Sequence, residues 1–220
     1  VPTPADPGRG YWDRLARRYD RATRFISGPI APMCALIAEA LQGAGRVLEV
    51  GAGTGLVTPS LARAAREVIS TDYAPEMVEV LQERVTTRGL YNVTCAQADL
   101  YDLPFAAGSF DAVVAANVLH LVPDLPSALA SLGRALKPGG LLIAPTFCHD
   151  QTARAWVLSR LFALTGFPGA RRFSLVTLQR SLEEAGFTVQ RATSLPGPIP
   201  IGFVVCVAPS PSVTGDDVAM

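Results

Sequence analysis

The sequence predicts an α/β fold, a mostly parallel sheet covered by helices, and three observations carry that prediction. Short apolar runs rich in Val, Ile and Leu alternate with longer stretches of helical periodicity, the order that gives parallel strands joined by crossover helices. A turn with glycines at Gly51, Gly53 and Gly55 joins the first such run to a helix. The chain has 220 residues, 49% hydrophobic and 17% charged, enough to bury one sizeable core.

Residues 1–10 are rich in Pro and Gly and read as a flexible leader. Helical spacing then sets Trp12, Leu15, Tyr19 and Ala22 on one stripe of a helix over 11–26, which Ser27-Gly28-Pro29 breaks. Strands are expected at 46–50, 67–71, 92–96, 110–115, 140–145, 187–192 and 201–208, seven in all. Helices fit 57–66, 75–87, 125–136, 152–164 and 175–185, and Pro138-Gly139-Gly140 reads as the turn before the fifth strand. The domain therefore spans 11–208, with an insertion at 150–172 that includes the loop Gly166-Phe-Pro-Gly169. Residues 209–220 have little to bury and read as a disordered tail.

A formal net charge of +0 removes the diffuse cationic field of a nucleic-acid binder, so no nucleic-acid partner is expected. Cys34, Cys95, Cys148 and Cys206 lack both the paired spacing of a zinc site and the density of a disulfide scaffold. No metal site and a reduced, cytoplasmic setting follow as expectations. No apolar run approaches the roughly 20 residues that span a bilayer, and the N-terminus lacks the pattern of a secretory signal.

Glu49-Val-Gly-Ala-Gly-Thr-Gly55 exposes backbone amides at a helix N-terminus beneath residues without bulk, so a ligand can come close. Leu56 stands where the dinucleotide fingerprint needs its third glycine, and the Gly-Lys-Ser/Thr of a phosphate-binding Walker loop is absent. Glu49 adds negative charge where a pyrophosphate would sit, which favours a cationic ligand. Asp72, 21 residues after Gly51 and ending the second strand, is placed to bind a ribose diol, a spacing that nicotinamide enzymes share.

Val47-Leu-Glu-Val-Gly-Ala-Gly-Thr-Gly55 resembles the first motif of the class I S-adenosylmethionine-dependent methyltransferases. Phe110-Asp-Ala-Val-Val-Ala-Ala-Asn-Val-Leu-His120 resembles the family's fourth-strand motif, and Leu136-Lys-Pro-Gly-Gly140 its turn before the fifth strand. The resemblance implies a Rossmann-like sheet in the order 3-2-1-4-5-7-6 with strand 7 antiparallel and helices on both faces. It implies S-adenosylmethionine as cofactor and S-adenosylhomocysteine as product. The cofactor would be held by Glu49, Gly51, Ala52, Gly53 and Gly55, with Asp72 on the ribose beside Tyr73 and Met77. Asp99 and Leu100 would meet the adenine, and Asn117 and Val118 complete the pocket. Tyr11-Trp-Asp-Arg-Leu-Ala-Arg-Arg-Tyr-Asp20 resembles the helix that lids the cofactor in methyltransferases of quinone biosynthesis and bacterial phospholipid N-methylation. That places Tyr19 over the methionine end with Tyr11 nearby, where aromatic rings attract a sulfonium.

Methyl transfer from a sulfonium has a good leaving group, so positioning carries much of the catalysis and a base helps only some acceptors. His120 and His149 both fall at the C-terminal edge of the sheet, where open parallel sheets bind ligands. Each is a candidate base; the alternatives are a pocket-shaping role for His120 and a cap on the helix start at Asp150-Gln-Thr for His149. Asn117-Val-Leu-His120 replaces the Asn-Pro-Pro-Tyr of nucleic-acid and protein amino methyltransferases, which argues against those acceptors. No acidic cluster suggests a metal-dependent catechol enzyme. Trp12, Trp156, Phe162, Phe167 and Arg171 suit an acceptor that is largely apolar with an anionic group. The expected activity is methylation of a small molecule, a quinone precursor or natural-product intermediate. One alternative is a phospholipid N-methyltransferase whose helix with Arg14, Arg17, Arg18, Arg21 and Arg24 lies on a membrane, against a simple solvated face. Another is a non-catalytic cofactor-binding partner subunit.

Overall fold

In the computed structural model, which describes residues 7–18, 29–163 and 169–209, strands and helices alternate as the apolar runs require. In chain order the elements are α1 (Pro7–Leu15), a 3-10 turn (Ala16–Arg18), α2 (Ile30–Ala40), β1 (Ala44–Val50), α3 (Thr58–Ala64) and β2 (Ala65–Asp72). Then come α4 (Pro75–Thr87), β3 (Val93–Gln97), β4 (Phe110–Val114), α5 (Leu125–Ala135), β5 (Leu136–Ile143) and β6 (Thr146–Phe147). The chain continues through α6 (Ala153–Ala163), α7 (Leu175–Glu184), β7 (Thr188–Leu195) and β8 (Ile201–Val207).

β1 pairs in parallel with β2 and β4, β2 with β3, and β4 with β5, while β8 runs antiparallel to β5, β6 and β7. β6 keeps the register of β5 along β8, with Leu141 opposite Val207 and Phe147 opposite Ile201, so the two are one strand interrupted at Ala144-Pro145. Proline has no N–H to give the ladder there. Counted that way the order is the expected 3-2-1-4-5-7-6, and the short β6 makes an eighth strand of it.

Apolar side chains alternate across the sheet and fill two cores. Leu48, Phe110 and Val113 face Leu129 and Leu132 of α5 and Leu178 and Leu182 of α7 on one side. Val47, Ala112 and Val114 face Met33 and Ile37 of α2, Leu61 of α3 and Ala155 of α6 on the other. Strands covered on both faces are apolar on both faces, which is why these runs do not alternate with polar residues.

Three expectations need correction. Helix α1 begins at Pro7, inside the expected leader, and the remainder of the lid helix, including Tyr19, lies outside the described residues. Helix α2 has no counterpart in the sequence reading; Pro29, read as part of a break, is its N-cap, and Pro32 sits in the first turn, where a missing N–H is tolerated. The fifth strand starts at Leu136, and Lys137 to Gly140 bulge out between the pairs Phe110–Leu136 and Ala112–Leu141. The tail over 210–220 lies outside the described residues.

Candidate functional site

The glycine loop is anchored by Ala52 N–H donating to Thr71 O at 2.9 Å across β1 and β2. Gly51 and Gly53 take φ of +58° and +56°, a region costly to residues with a Cβ. A Cβ on Gly51 would stand 2.5 Å from Val118 Cγ2, whereas one on Gly53 would meet nothing within 4 Å. The loop is thus closed against the segment after β4 and open above Gly53. Gly51→Ala is expected to destabilise the fold by about 1–3 kcal/mol through strain at this backbone, and Val118→Ala should relieve only the collision. Thermal unfolding of the single and double variants checks this; full rescue by Val118→Ala would refute the backbone component.

Asp72 ends β2 with its carboxylate buried beside that opening. Oδ2 accepts from Gly53 N–H at 2.8 Å and Oδ1 from Ala74 N–H at 3.0 Å. The carboxylate keeps acceptor capacity for a further donor. Burial pushes the Asp72 carboxyl up, against the pull of backbone N–H groups at Ala74, Gly53 and Tyr73, and the nearby charge of Asp13 adds to the rise. Glu49 turns into the interior instead of the loop mouth: its Oε2 accepts from Ser70 Oγ at 2.6 Å and Thr58 Oγ1 at 2.7 Å. Desolvation raises it to about 7, with the two hydroxyls opposing and Asp72 assisting.

Helix α1 docks beside this site. Trp12 and Ala16 are buried against Ala74 and Met77, with Tyr11 and Tyr73 packed around them. Tyr11 and Trp12 meet edge to face at 5.1 Å. Trp12, expected on the acceptor side, therefore sits in the joint between α1 and α4. Arg17, exposed, lies 3.9 and 3.6 Å from Glu79 and Glu83 of α4. Asp99 is exposed after β3, its Oδ1 accepting from Tyr101 N–H at 2.9 Å, and Leu100 packs on the main core.

Past β4 the backbone turns sharply at Asn117, with φ of +56°, and its N–H donates to Pro145 O at 2.7 Å. Asn117 Nδ2 points to Met33 Sδ at 3.9 Å, and its buried Oδ1 has no hydrogen-bond partner among the described residues. His120 and His149 lie together, ring centroids 5.5 Å apart, with Phe147 5.9 Å from His120 and 6.3 Å from His149. Phe147 is a member of this cluster that the sequence reading missed, having no motif to mark it. Burial lowers His120 to about 3, His149 contributing, so the ring is neutral at physiological pH. Burial and then Arg172 lower His149, against Asp150. The cap of α6 is Thr152, whose Oγ1 accepts from Ala155 N–H at 3.1 Å, and not His149.

Arg171 makes one side-chain hydrogen bond within the fold, and its buried Nε has no partner among the described residues. Its Nη2 donates to Pro123 O at 2.7 Å, while Ala170 N–H and Arg171 N–H both donate to His120 O. The segment before α7 is thereby folded back over His120. Trp156 stands exposed on α6; the side chain of Phe162 and the whole of Phe167 lie outside the described residues.

Residues 48–144, which hold the glycine loop, Asp72, Asp99 and His120, match the family model described as "Methyltransferase domain". The chain is 33% identical over 165 residues to the ubiquinone/menaquinone biosynthesis C-methyltransferase UbiE of Teredinibacter turnerae, covering 72% of this chain and 65% of that protein. The chain carries a class I S-adenosylmethionine-dependent methyltransferase domain. It is also 32% identical over 146 residues to the demethylmenaquinone methyltransferase of Tropheryma whipplei, covering 65% of this chain and 60% of that protein. The chain thus spans a little under two thirds of these curated relatives. A crystal structure of a SAM-dependent methyltransferase from Aquifex aeolicus superposes with a TM-score of 0.67 at 21% identity, over 91% of this chain and 98% of that one, and shows the shared fold. The cofactor of this methyltransferase domain is S-adenosylmethionine, and two features of the structure fit it: the open space above Gly53 and the spare acceptor capacity of Asp72.

Proposed function

We propose that this chain methylates a small, largely apolar acceptor of the quinone-precursor class, at carbon, by in-line displacement. The observation that carries the reading is the buried cluster of His120, His149 and Phe147, whose His120 is two residues along the chain from the Val118 that closes the glycine loop. The printed names of the relatives, a quinone-biosynthesis C-methyltransferase and a demethylmenaquinone methyltransferase, support the acceptor class.

The glycine loop and Asp72 hold and orient the cofactor; bound there, S-adenosylmethionine supplies a methyl group on a cationic sulfur that leaves as a neutral thioether. Phe147 and the segment folded over His120 keep water from the acceptor. A ring hydroxyl ortho or para to the reacting carbon needs to lose its proton for that carbon to become nucleophilic. Nδ1 of His149, which has no hydrogen-bond partner among the described residues, takes it. His120, held neutral at about 3, is too weak a base for that step and acts as a neutral hydrogen-bonding wall. The ring carbon accepts the methyl group, and its own proton leaves afterwards to restore aromaticity.

The test is turnover of a demethylated naphthoquinol with S-adenosylmethionine, read as methylated product and S-adenosylhomocysteine. His149→Ala should lower kcat by about 100-fold, within the usual range for loss of a general base, with cofactor affinity unchanged. Because burial lowers His149, the wild-type rate should hold its plateau to lower pH than an ordinary histidine allows. An unchanged kcat in the variant overturns the base assignment, and no turnover with quinols or phenols overturns the acceptor class.

A further inference from the structure

We propose that α6 (Ala153–Ala163) is a lipid-contacting helix that seats the domain on an anionic membrane surface next to the acceptor site. The inference takes its purpose from the apolar acceptor proposed above, but it stands on its own observations. Trp156, Val157 and Leu161 are 46%, 50% and 56% exposed, so three of the large apolar side chains most open to solvent among the described residues lie within six positions of one helix. Soluble domains rarely leave such a group uncovered without a partner.

Helical geometry sorts the residues. Ala155 and Ser159 are buried, and Leu158 packs partly on the core, fixing one side of α6 to the protein. Arg154, Trp156, Val157, Arg160 and Leu161 fall on the other side, all exposed. Residues 153–163 contain no Asp or Glu, so the exposed face is apolar and cationic at once. The Arg160 guanidinium stands 4.8 Å from the Trp156 ring centroid, ready to meet a phosphate while the ring enters the headgroup layer.

That combination favours anionic lipid over other occupants. A second copy meeting the same face would bring arginines onto arginines, since a two-fold contact is self-complementary. The chain's net charge of +0 offers no general attraction to a membrane, so any attraction is local to such a face. In the 3-10 turn after α1, Arg17 already has Glu79 and Glu83 beside it. Position adds to the argument: α6 begins four residues after His149, and Ala155 shares a core cluster with Phe147, so an acceptor dissolved in lipid would have a short path to the histidines.

Cosedimentation of the full chain with phosphatidylcholine vesicles, with and without phosphatidylglycerol, tests this without acceptor or methyl donor, so it fails independently of the proposed activity. Binding should be about tenfold tighter to the anionic vesicles and should weaken with salt. Arg154→Gln with Arg160→Gln should remove the anionic preference, Leu161→Ser should weaken binding to both vesicles, and Arg17→Gln should change nothing. In a Trp12→Phe background, Trp156 fluorescence should shift to the blue on vesicle addition. Calorimetric cofactor binding, unchanged in the α6 variants, shows that they fold. Absence of vesicle binding, binding indifferent to the α6 substitutions, or an unshifted Trp156 overturns the proposal. So does a dimer that Leu161→Ser dissolves, which would make a second copy the occupant.

Discussion

Asp72→Ala is expected to weaken S-adenosylmethionine binding by at least about 100-fold. The carboxylate already accepts Gly53 N–H and Ala74 N–H, so it fixes the open middle of the glycine loop before any ligand arrives. Its remaining acceptor capacity is what a ribose hydroxyl would use. Hydrogen bonds to a charged group contribute about 1.5–3 kcal/mol each, and losing two of them amounts to about two decades in Kd or more. Asp72→Asn should lose nearly as much, because its amide donor would face a backbone N–H or a ribose hydroxyl where an acceptor is required. Asp99→Ala, altering an exposed side chain, should cost no more than about tenfold. Burial raises the Asp72 carboxyl, so wild-type affinity should decline on acidification sooner than an ordinary aspartate would predict. Calorimetric titration measures all of this; equal Kd for wild type and Asp72→Ala would remove Asp72 from the site.

The strands were legible because each parallel strand is a separate apolar run and each connection is marked by glycine or proline, whereas their order in the sheet came from the resemblance and not from the runs themselves. The loop glycines and Asp72 were legible for a related reason: one β–α turn and one crossover fix their spacing along the chain. What the sequence hid depends on register and on chain reversal. Glu49 meets Ser70, 21 residues away, because β1 and β2 pair with Glu49 opposite Ser70, and it meets Thr58, 9 residues away, where α3 begins after the glycine loop. Arg171 reaches Pro123 O, 48 residues away, because residues 170–171 fold back onto His120 O. An arginine expected to meet an anionic acceptor gives one of its N–H groups to a loop no periodicity announces. Helix α2 was hidden for the opposite reason: its residues are apolar nearly all round, so they lack the polar face that makes helical spacing visible.

Glu49→Gln is expected to stabilise the protein above neutral pH and to weaken its hold on a cationic ligand. The buried carboxyl titrates at about 7 where an exposed one titrates at 4.5. Between those values the folded chain keeps a proton that the unfolded chain has released, so stability falls as pH rises through the window. Above it both states are ionised, and the folded state carries a constant penalty of about 3 kcal/mol. Glutamine is neutral throughout and can still accept from Ser70 and Thr58 with its oxygen. The variant's Tm should therefore match wild type near pH 4.5 and exceed it by about 5–10 °C at pH 8. Parallel Tm curves from pH 4.5 to 8 would show that Glu49 does not titrate in this way. The same ionised carboxylate lies at the base of the glycine loop and would attract a cationic cofactor bound over it, so its removal should raise the Kd for S-adenosylmethionine at pH 8 by about tenfold. A charge that costs stability and strengthens ligand binding belongs to the site, whereas one that costs stability alone would be a packing accident; measuring Tm and Kd on this single variant separates the two.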